Sequence, residues 1–300
     1  FSNFQKTKVY LIDKADRILP FEDPDISEIV ARNFEQNGVT IHRNTSLDSM
    51  AIENGRVKYV LNCQDGSQET HYAEKALMSI GRVPNVEGMG LEEIGLEQHD
   101  RGGFPSEDTS TNLHNIFVVG DLTGEVCLVN VGELEGRHAV EKIFAQSERK
   151  LSYNNVSTIM FLEPEVAGVG LNETQAMRAR IPYRVACYGY EYIPRALAMR
   201  NTDGFFKILV TDDDEMRILG MRAMGPQASS SIQAVALLIS MNKGIEELAE
   251  LIHPHPSIVE GVQECVRMLL GKSIIKPGIF ESHLKCSRVV DGKCYDYLYT

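Results

Sequence analysis

The sequence lacks a long apolar run and a basic cluster. Its longest candidate for a membrane span, Ala234–Met241, is bounded by Gln233 and Asn242 and is far shorter than the roughly 18 residues that a bilayer requires. Acidic residues outnumber basic ones by 42 to 30, and the net charge of -12 would repel phosphate backbones and anionic lipid surfaces. We therefore expect no membrane and no nucleic acid among the partners.

Cysteine is also scarce, and no two cysteines are closely spaced. The six cysteines are Cys63, Cys127, Cys187, Cys265, Cys286 and Cys294. Such scattered thiols fit a reducing compartment better than a disulfide framework. The first residues show no basic segment followed by an apolar stretch, so nothing indicates secretion. We expect a cytoplasmic protein, or one of the mitochondrial matrix or plastid in a eukaryote.

A glycine-rich GxGxxG motif is absent, although the first elements have the order of a dinucleotide-binding unit. The run Val9–Asp13 predicts a buried parallel strand, and residues 25–36 predict a helix that ends at Gly38. The strand VTIHR and a hairpin around Asn54-Gly55 follow, and KALMSIG (Lys75–Gly81) closes this part. These elements predict part of an α/β domain.

Asp13 is the first candidate binding residue. A carboxylate at the end of such a strand can accept hydrogen bonds from both hydroxyls of an adenosine ribose, and it would repel a 2′-phosphate. This favours NADH over NADPH, but the neighbouring Lys14 and Arg17 weaken the preference. An acid in a solvated turn is the structural alternative.

The pair Gly120-Asp121 is the second candidate. It follows NIFVVG (Asn115–Gly120), an apolar run that predicts a strand, and precedes a predicted helix from near Val131 to Gln146. A carboxylate at a strand end can bind sugar-alcohol hydroxyls, and the glycine lets a ligand approach the backbone. A plain turn explains the same pair equally simply.

The segment HPHPSIVE contains the third candidate, His255, which Pro254 and Pro256 hold in an extended backbone. Ser257 and Glu260 have the spacing of a capping box, which is a purely structural role. Alternatively, the Glu260 carboxylate could bond one imidazole nitrogen and raise the basicity of the other. We expect no metal site at His253 and His255, because no compact set of ligands completes one.

The second half of the chain changes character from residue 151 onward. Short β-rich runs are followed by predicted helices at Ser229–Met241 and Ser257–Leu270, a pattern typical of an α+β domain with an antiparallel sheet. The tail Ile274–Thr300 has weak periodicity and predicts no definite fold.

Taken in order, these segments resemble the dihydrolipoamide dehydrogenase branch of the pyridine nucleotide-disulfide oxidoreductase family. The resemblance runs from the first residues to about Gly271 and rests on VYLIDKADRILPFEDPDIS, ALMSIGRVPNVEGMGLEEIGL, TSTNLHNIFVVGDLTG, PEVAGVGLNETQA, RILGMRAMGPQASSSI and HPHPSIVE. It implies a C-terminal portion with four parts: the end of a Rossmann-like NAD domain (1–82), a returning FAD-domain segment (83–150), an α+β interface domain (151–272) and a tail (273–300).

The resemblance implies FAD and NAD as cofactors and a homodimer in which electrons pass from a dithiol through an enzyme disulfide and flavin to NAD. It implies that His255 is the acid–base catalyst for the opposite subunit's site, that Glu260 orients it, and that Asp121 bonds the FAD ribityl chain. The cofactor-binding residues it implies are Asp13, Gly81, Arg82, Gly120, Asp121 and Val129. A lipoyl domain of a 2-oxoacid dehydrogenase complex would be a possible dithiol partner.

Several departures from the family pattern are visible. The redox-active CxxxxC is absent from these residues, so we expect the chain alone to be inactive and to bind FAD weakly or not at all. Val129-Asn130-Val131 replaces Ala-His-Lys, and Glu163 replaces the histidine of a His-Pro-Glu turn. Another branch, such as a transhydrogenase or a metal or disulfide reductase, and a non-catalytic dimerisation module remain alternatives. The tail cysteines predict either a second dithiol relay or a packing or disordered tail.

Overall fold

A computed structural model describes residues 1–4, 6–99, 102–145, 147–275 and 284–296. The chain divides into two compact units. The first unit comprises residues 1–76 and 154–300, and the second unit comprises residues 77–153. The beginning of the chain and its second half therefore fold together in the first unit.

The first unit begins with a strand–helix–strand motif. Strands β1 (Val9–Ile12) and β2 (Val39–His42) are parallel neighbours, and helix α1 (Pro24–Gln36) connects them. The parallel pairing confirms the prediction, but the expected full burial of β1 is wrong. Tyr10 and Ile12 are 43% and 36% exposed, because successive side chains of a strand point to opposite faces and only one face is covered here.

A three-stranded antiparallel sheet follows β2. It contains β3 (Ser46–Glu53), β4 (Arg56–Asn62) and β5 (Gln68–Ala73), with β4 in the middle. Asn54 and Gly55 both have positive φ values, of 52° and 74°, as a two-residue hairpin turn requires. The predicted hairpin is thus confirmed, and β5 is an addition that the sequence pattern did not reveal.

The rest of the first unit is built on a seven-stranded antiparallel sheet. Its strands are β6 (Ser157–Met160), β7 (Val166–Gly170), β8 (Tyr183–Gly189), β9 (Phe205–Thr211), β10 (Ile218–Met224), β11 (Leu284–Val290) and β12 (Lys293–Asp296). They lie in the order β12-β11-β8-β9-β10-β7-β6. This confirms the predicted antiparallel sheet and the mixed α/β class.

Short helices pack against this sheet and close its core. They are α3 (Glu173–Arg178), α4 (Pro194–Met199), α5 (Ala228–Ser231), α6 (Gln233–Ser240), α7 (Glu246–Glu250) and α8 (Glu260–Leu269). Phe206, Met221 and Val266, all fully buried, join strands and helices in one apolar cluster. The single helix predicted for 229–241 is wrong, since α5 and α6 are separate on either side of Ile232.

The tail also joins this sheet, although the sequence predicted no fold for it. Strand β11 pairs with β8, and β12 folds back on β11. Cys286 is only 4% exposed and belongs to the main apolar cluster. The remaining tail positions, 276–283 and 297–300, lie outside the described residues.

The second unit contains helix α2 (Val129–Ala145) and a small apolar cluster of Leu96, Phe104 and Val118. The predicted helix is confirmed, and its expected last residue, Gln146, lies outside the described part of the chain. The predicted strand at 115–120 is wrong: only an isolated bridge between Phe117 and Ser110 forms there. Among the described residues, no helix is long and apolar enough to span a membrane.

Candidate functional site

Asp13 lies directly after β1, where the chain turns away from the parallel pair. Its amide donates to the His42 carbonyl oxygen at 2.9 Å, which continues the pairing by one residue. One carboxylate oxygen, Oδ1, accepts a hydrogen bond from the Ala15 amide at 2.9 Å. The side chain therefore shapes its own turn, as the structural alternative required, and keeps Oδ2 available for a ligand.

Arg17, one of the two cations near Asp13, is held by the following loop. Its guanidinium donates to the carbonyl oxygens of Glu22 at 2.7 Å and Pro20 at 3.0 Å, and to Ser27 Oγ at 3.1 Å. A guanidinium with three intramolecular acceptors is poorly placed to attract a 2′-phosphate. Only the exposed Lys14 remains as a competing cation beside Asp13.

The second unit contains a cavity of about 820 Å³. Its lining includes Arg82 and Asp121, which are 39 positions apart in sequence, together with His99, Glu125 and Cys127. The Asp121 side chain is exposed and accepts no hydrogen bond from the described residues. A carboxylate that lines a cavity suits the hydroxyl groups of a polyol.

Gly120 precedes Asp121 with a φ of +65°, in the left-handed region that favours glycine. Gly132 of α2 packs directly against it, because a Cβ at Gly132 would lie 3.1 Å from the Gly120 Cα. The Gly120 amide donates to Glu135 Oε2 at 2.5 Å. Helix α2 thus fixes the backbone that presents Asp121.

Glu135 is a buried carboxylate that the sequence analysis did not single out. It is 2% exposed, and its second oxygen, Oε1, accepts a hydrogen bond from the Tyr153 hydroxyl at 2.8 Å. Burial, together with the bond to Glu135, raises the pKa of the Tyr153 phenol. The sequence could have predicted the burial of Glu135, because Glu135 follows Val131 by four positions and so lies on the same, buried face of α2.

The imidazole of His255 is paired with the carboxylate of Glu260. Nδ1 lies 2.8 Å from Glu260 Oε1, and the histidine side chain is 69% exposed. Glu260 Oε2 accepts the Ser257 amide at 2.8 Å, while the Ser257 hydroxyl donates to the Pro254 carbonyl oxygen. The contact between Glu260 and the imidazole is therefore present, whereas the predicted capping box forms only in part: Glu260 accepts the Ser257 amide, but the Ser257 side chain forms no cap and α8 begins at Glu260.

The charge on Glu260 is favoured by these contacts. Partial burial would raise the pKa of its carboxyl, but the hydrogen bonds from the Ser257 amide and His255 outweigh burial, so the pKa is lowered below its usual value. With Nδ1 facing an ionised carboxylate, Nε2 is the nitrogen that remains for proton exchange. This arrangement is that of an oriented general acid–base.

Two other predicted cofactor-binding residues, Gly81 and Val129, do not lie at the cavity. Gly81 has a φ of +134° and is exposed, and Val129, the first residue of α2, is 92% exposed; neither lines the cavity. No cluster of metal-ligating side chains exists among the described residues. Cys286, in contrast, is buried, and burial raises the pKa of its thiol to about 12, which opposes the dithiol-relay alternative.

Two family models match nearly the whole chain. The one described as pyridine nucleotide-disulphide oxidoreductase covers residues 1–139, and the one described as the dimerisation domain of the same family covers residues 156–266. The tail strands β11 and β12 lie beyond both matches.

Dihydrolipoyl dehydrogenases are among the relatives by sequence. Dihydrolipoyl dehydrogenase 3 of Haloarcula marismortui is 30% identical over 89% of this chain and 56% of its own length. The Chlamydia muridarum and Bacillus subtilis enzymes are 33% and 30% identical over 85% and 91% of this chain, which correspond to 53% and 58% of their lengths. The chain thus spans about half the length of the relatives it matches.

Solved structures agree with this similarity. LpdA from Mycobacterium tuberculosis superimposes with a TM-score of 0.81 at 26% identity, covering 88% of this chain and 57% of LpdA. The HOCl-induced flavoprotein disulfide reductase RclA from Escherichia coli has a TM-score of 0.77 at 24% identity, covering 88% of this chain and 60% of RclA. The latter likeness concerns the fold alone.

Proposed function

The chain belongs to the pyridine nucleotide-disulphide oxidoreductase family, and from this membership we propose that it forms part of an FAD-dependent enzyme that passes electrons between a dithiol and NAD. The observation that carries the proposal is the 2.8 Å contact between His255 Nδ1 and Glu260 Oε1. In this proposal the dithiol is dihydrolipoamide or a similar group, free or on a lipoyl domain.

His255 acts as the acid–base group for the dithiol. Thiolate is the form of sulfur that attacks a disulfide, so a base that takes the thiol proton accelerates the exchange. Glu260 holds the ring by Nδ1 and stabilises its positive charge once Nε2 has taken that proton. The high exposure of His255 suits a donor that approaches from solvent or from another subunit.

The cavity of the second unit fits the polyol portion of FAD. Asp121 offers a carboxylate there that accepts no hydrogen bond from the described residues, and Arg82 adds a positive charge to the lining. Bound flavin would supply the two-electron chemistry between disulfide and nicotinamide. Gly81 and Val129 belong to the proposed cofactor contacts through the family resemblance only.

Asp13 binds the adenosine ribose in this proposal. Oδ2 is available for a ribose hydroxyl, and its negative charge disfavours a 2′-phosphate. Arg17 does not counteract this selection, because the loop occupies its guanidinium. NAD is therefore the proposed nicotinamide cofactor.

The matched dimerisation domain supports a homodimer. In the proposed dimer, His255 serves the disulfide of the other subunit. A reducing location, such as the cytoplasm or an organellar matrix, is part of the proposal, because all six cysteines are unpaired.

The test is His255→Gln in the flavin-loaded full-length protein, with His253→Gln as the matched control. His253 lies two residues away, and its Nδ1 contacts the Leu251 carbonyl oxygen rather than a carboxylate. Loss of a general base lowers turnover by about 10²–10⁴-fold. We expect this loss in dihydrolipoamide:NAD turnover for His255→Gln and little change for His253→Gln. Equal turnover of the His255 variant and the wild type would eliminate the proposal and favour another family branch.

A further inference from the structure

The loop between β1 and α1 carries acidic side chains that are buried in the first unit. Glu22 is 4% exposed and Asp23 is 1% exposed. The antiparallel sheet supplies two buried cations to meet them, Lys207 of β9 at 2% exposure and Arg222 of β10 at 5% exposure. Acids and cations are almost two hundred positions apart in the sequence.

The contacts between these groups are short. Arg222 Nε lies 2.8 Å from Glu22 Oε2. Lys207 Nζ lies 3.1 Å from Asp23 Oδ2, 2.5 Å from Asp25 Oδ2 and 2.9 Å from Glu173 Oε2. One lysine thus binds one acid of the loop, one acid of the first turn of α1 and one acid of α3.

Further hydrogen bonds connect Asp23 to Thr174 of α3 as well as to Lys207 of β9. Its Oδ1 accepts the Thr174 amide at 3.0 Å and the Thr174 hydroxyl at 3.1 Å. Burial would raise the pKa of Asp23, but the positive charge of Lys207 and the backbone donors lower it below its usual value. Asp23 therefore remains charged although it is buried.

Arg17 braces the same loop from within. It donates to the Glu22 carbonyl oxygen, while the Glu22 carboxylate binds Arg222. Asp13 lies four positions before Arg17, in the turn that Ala15 closes. The hydrogen bonds and ion pairs therefore run from the sheet to Arg17, and the backbone of residues 14–16 connects Arg17 to Asp13.

The sheet is shaped to receive this loop. Gly168 of β7 leaves space for the Arg222 side chain, since a Cβ at position 168 would lie 2.9 Å from its Cδ, Nε and Cζ atoms. Buried ion pairs are often no more stabilising than apolar side chains of the same volume. Their advantage is orientation, because a misplaced loop would leave buried charges unpaired.

We propose that Lys207 and Arg222 form a latch that holds the loop of residues 13–23 and the first turn of α1 on the antiparallel sheet and thereby fixes the position in which Asp13 is presented. The latch rests on the proposed function only in assigning a nucleotide to Asp13. Lys207 and Arg222 are positioning residues, because they act through the loop and make no contact with Asp13 in the described structure.

The experiment is hydrogen–deuterium exchange on the 300-residue chain without nucleotide. The variants are Arg222→Gln, Glu22→Gln and their combination, with Arg32→Gln as the control. Arg32 pairs with Glu28 on the exposed surface of α1 at 3.5 Å, with both side chains more than half exposed. Exposed pairs of this kind contribute little.

We expect amides of residues 13–22 to exchange at least about tenfold faster in both single variants, because each leaves a buried charge unpaired. Strands β8 and β9 should keep their wild-type protection, and the double variant should be less affected than the sum of the single variants. The amide chemical shift of Ala15, which donates to Asp13 Oδ1, should change in the same variants and not in Arg32→Gln, as measured by nuclear magnetic resonance.

Unchanged exchange at residues 13–22 in Glu22→Gln would overturn the latch, as would equal acceleration throughout the first unit. Glu22→Gln keeps the size of the side chain, so it decides the question if Arg222→Gln does not fold. No nucleotide, flavin or dithiol enters the assay, and its outcome is therefore independent of the proposed enzyme activity.

Discussion

Glu260 serves two neighbours with its two carboxylate oxygens. Oε1 contacts the His255 ring and Oε2 accepts the Ser257 amide, so the group that starts α8 also orients the imidazole. A glutamine at position 260 would preserve the shape but could not accept at both atoms. One residue thereby joins backbone geometry to the proposed acid–base chemistry.

The lowered pKa of Glu260 gives a pH dependence with a defined sign. The pKa is lower in the folded than in the unfolded protein, whose usual value is 4.5, so the stabilisation is fully present above pH 4.5 and is lost as the pH falls through the lowered folded value. We expect the stability difference between wild type and Glu260→Gln to shrink as the pH falls below 4.5. Thermal unfolding over a pH series measures this. A difference that does not shrink below pH 4.5 would contradict it.

Tyr153 should stabilise the second unit through Glu135. Tyr153→Phe removes the hydroxyl donor to a buried carboxylate, and hydrogen bonds to charged groups contribute about 1.5–3 kcal/mol. We expect the free energy of opening, measured by amide exchange at Gly120 and along α2, to fall by about this amount.

Tyr72→Phe is the matched control for Tyr153→Phe, because the Tyr72 hydroxyl also donates to a glutamate, Glu53, but on the exposed surface. Water can replace the hydrogen bond that Tyr72→Phe removes, so we expect little change in the free energy of opening. Equal losses in the two variants would mean that the buried position of Glu135 is unimportant.

Among the elements, the β11–β12 hairpin departs most from the sequence expectation. Asp212, whose side chain is 4% exposed, binds Arg184 of β8 at 2.9 Å and Arg288 of β11 at 2.7 Å, and so fastens the hairpin to the sheet. Cys286 faces the core, whereas Cys294 of β12 is exposed. The two tail cysteines therefore lie in different environments.

This difference predicts the reactivity of the thiols. Burial raises the pKa of Cys286 to about 12, so almost no thiolate forms at neutral pH. We expect a thiol-alkylating reagent to modify the exposed Cys127 and Cys294 in the native chain and to spare Cys286. Mass spectrometry of the digested product measures the modification, and denatured chain is the control in which all six cysteines react. Modification of native Cys286 as fast as that of Cys294 would contradict the packing of the hairpin.

The elements that the sequence predicted well are those that local patterns specify. Helix α2 follows from its 3.6-residue periodicity, and the Asn54-Gly55 hairpin from residues that tolerate positive φ. The segment 115–120 has the composition of a strand but forms only one bridge, because strands need partners that composition does not reveal. Paired strands with few apolar positions, such as β5, are missed for the same reason.

In the molecule as a whole, the candidate site was predictable where its residues are close in sequence. His255 and Glu260 are five positions apart, and the structure brings them into contact. Lys207 and Arg222 contact residues 22–25 only because the tertiary fold brings them together, and no local sequence pattern predicts these contacts. Long-range polar contacts of this kind require the structure.

The hairpin has a consequence for solubility. It covers the outer backbone of β8, a strand whose residues are almost all buried, and places the short, polar β12 at this edge of the sheet. A chain ending at residue 275 would expose a long, apolar sheet edge, which is a template for aggregation. We expect that truncation to precipitate or self-associate in light scattering, while Cys294→Ser, which retains β12, stays dispersed. The β11–β12 hairpin would then protect the chain from aggregation and take no part in the proposed electron transfer.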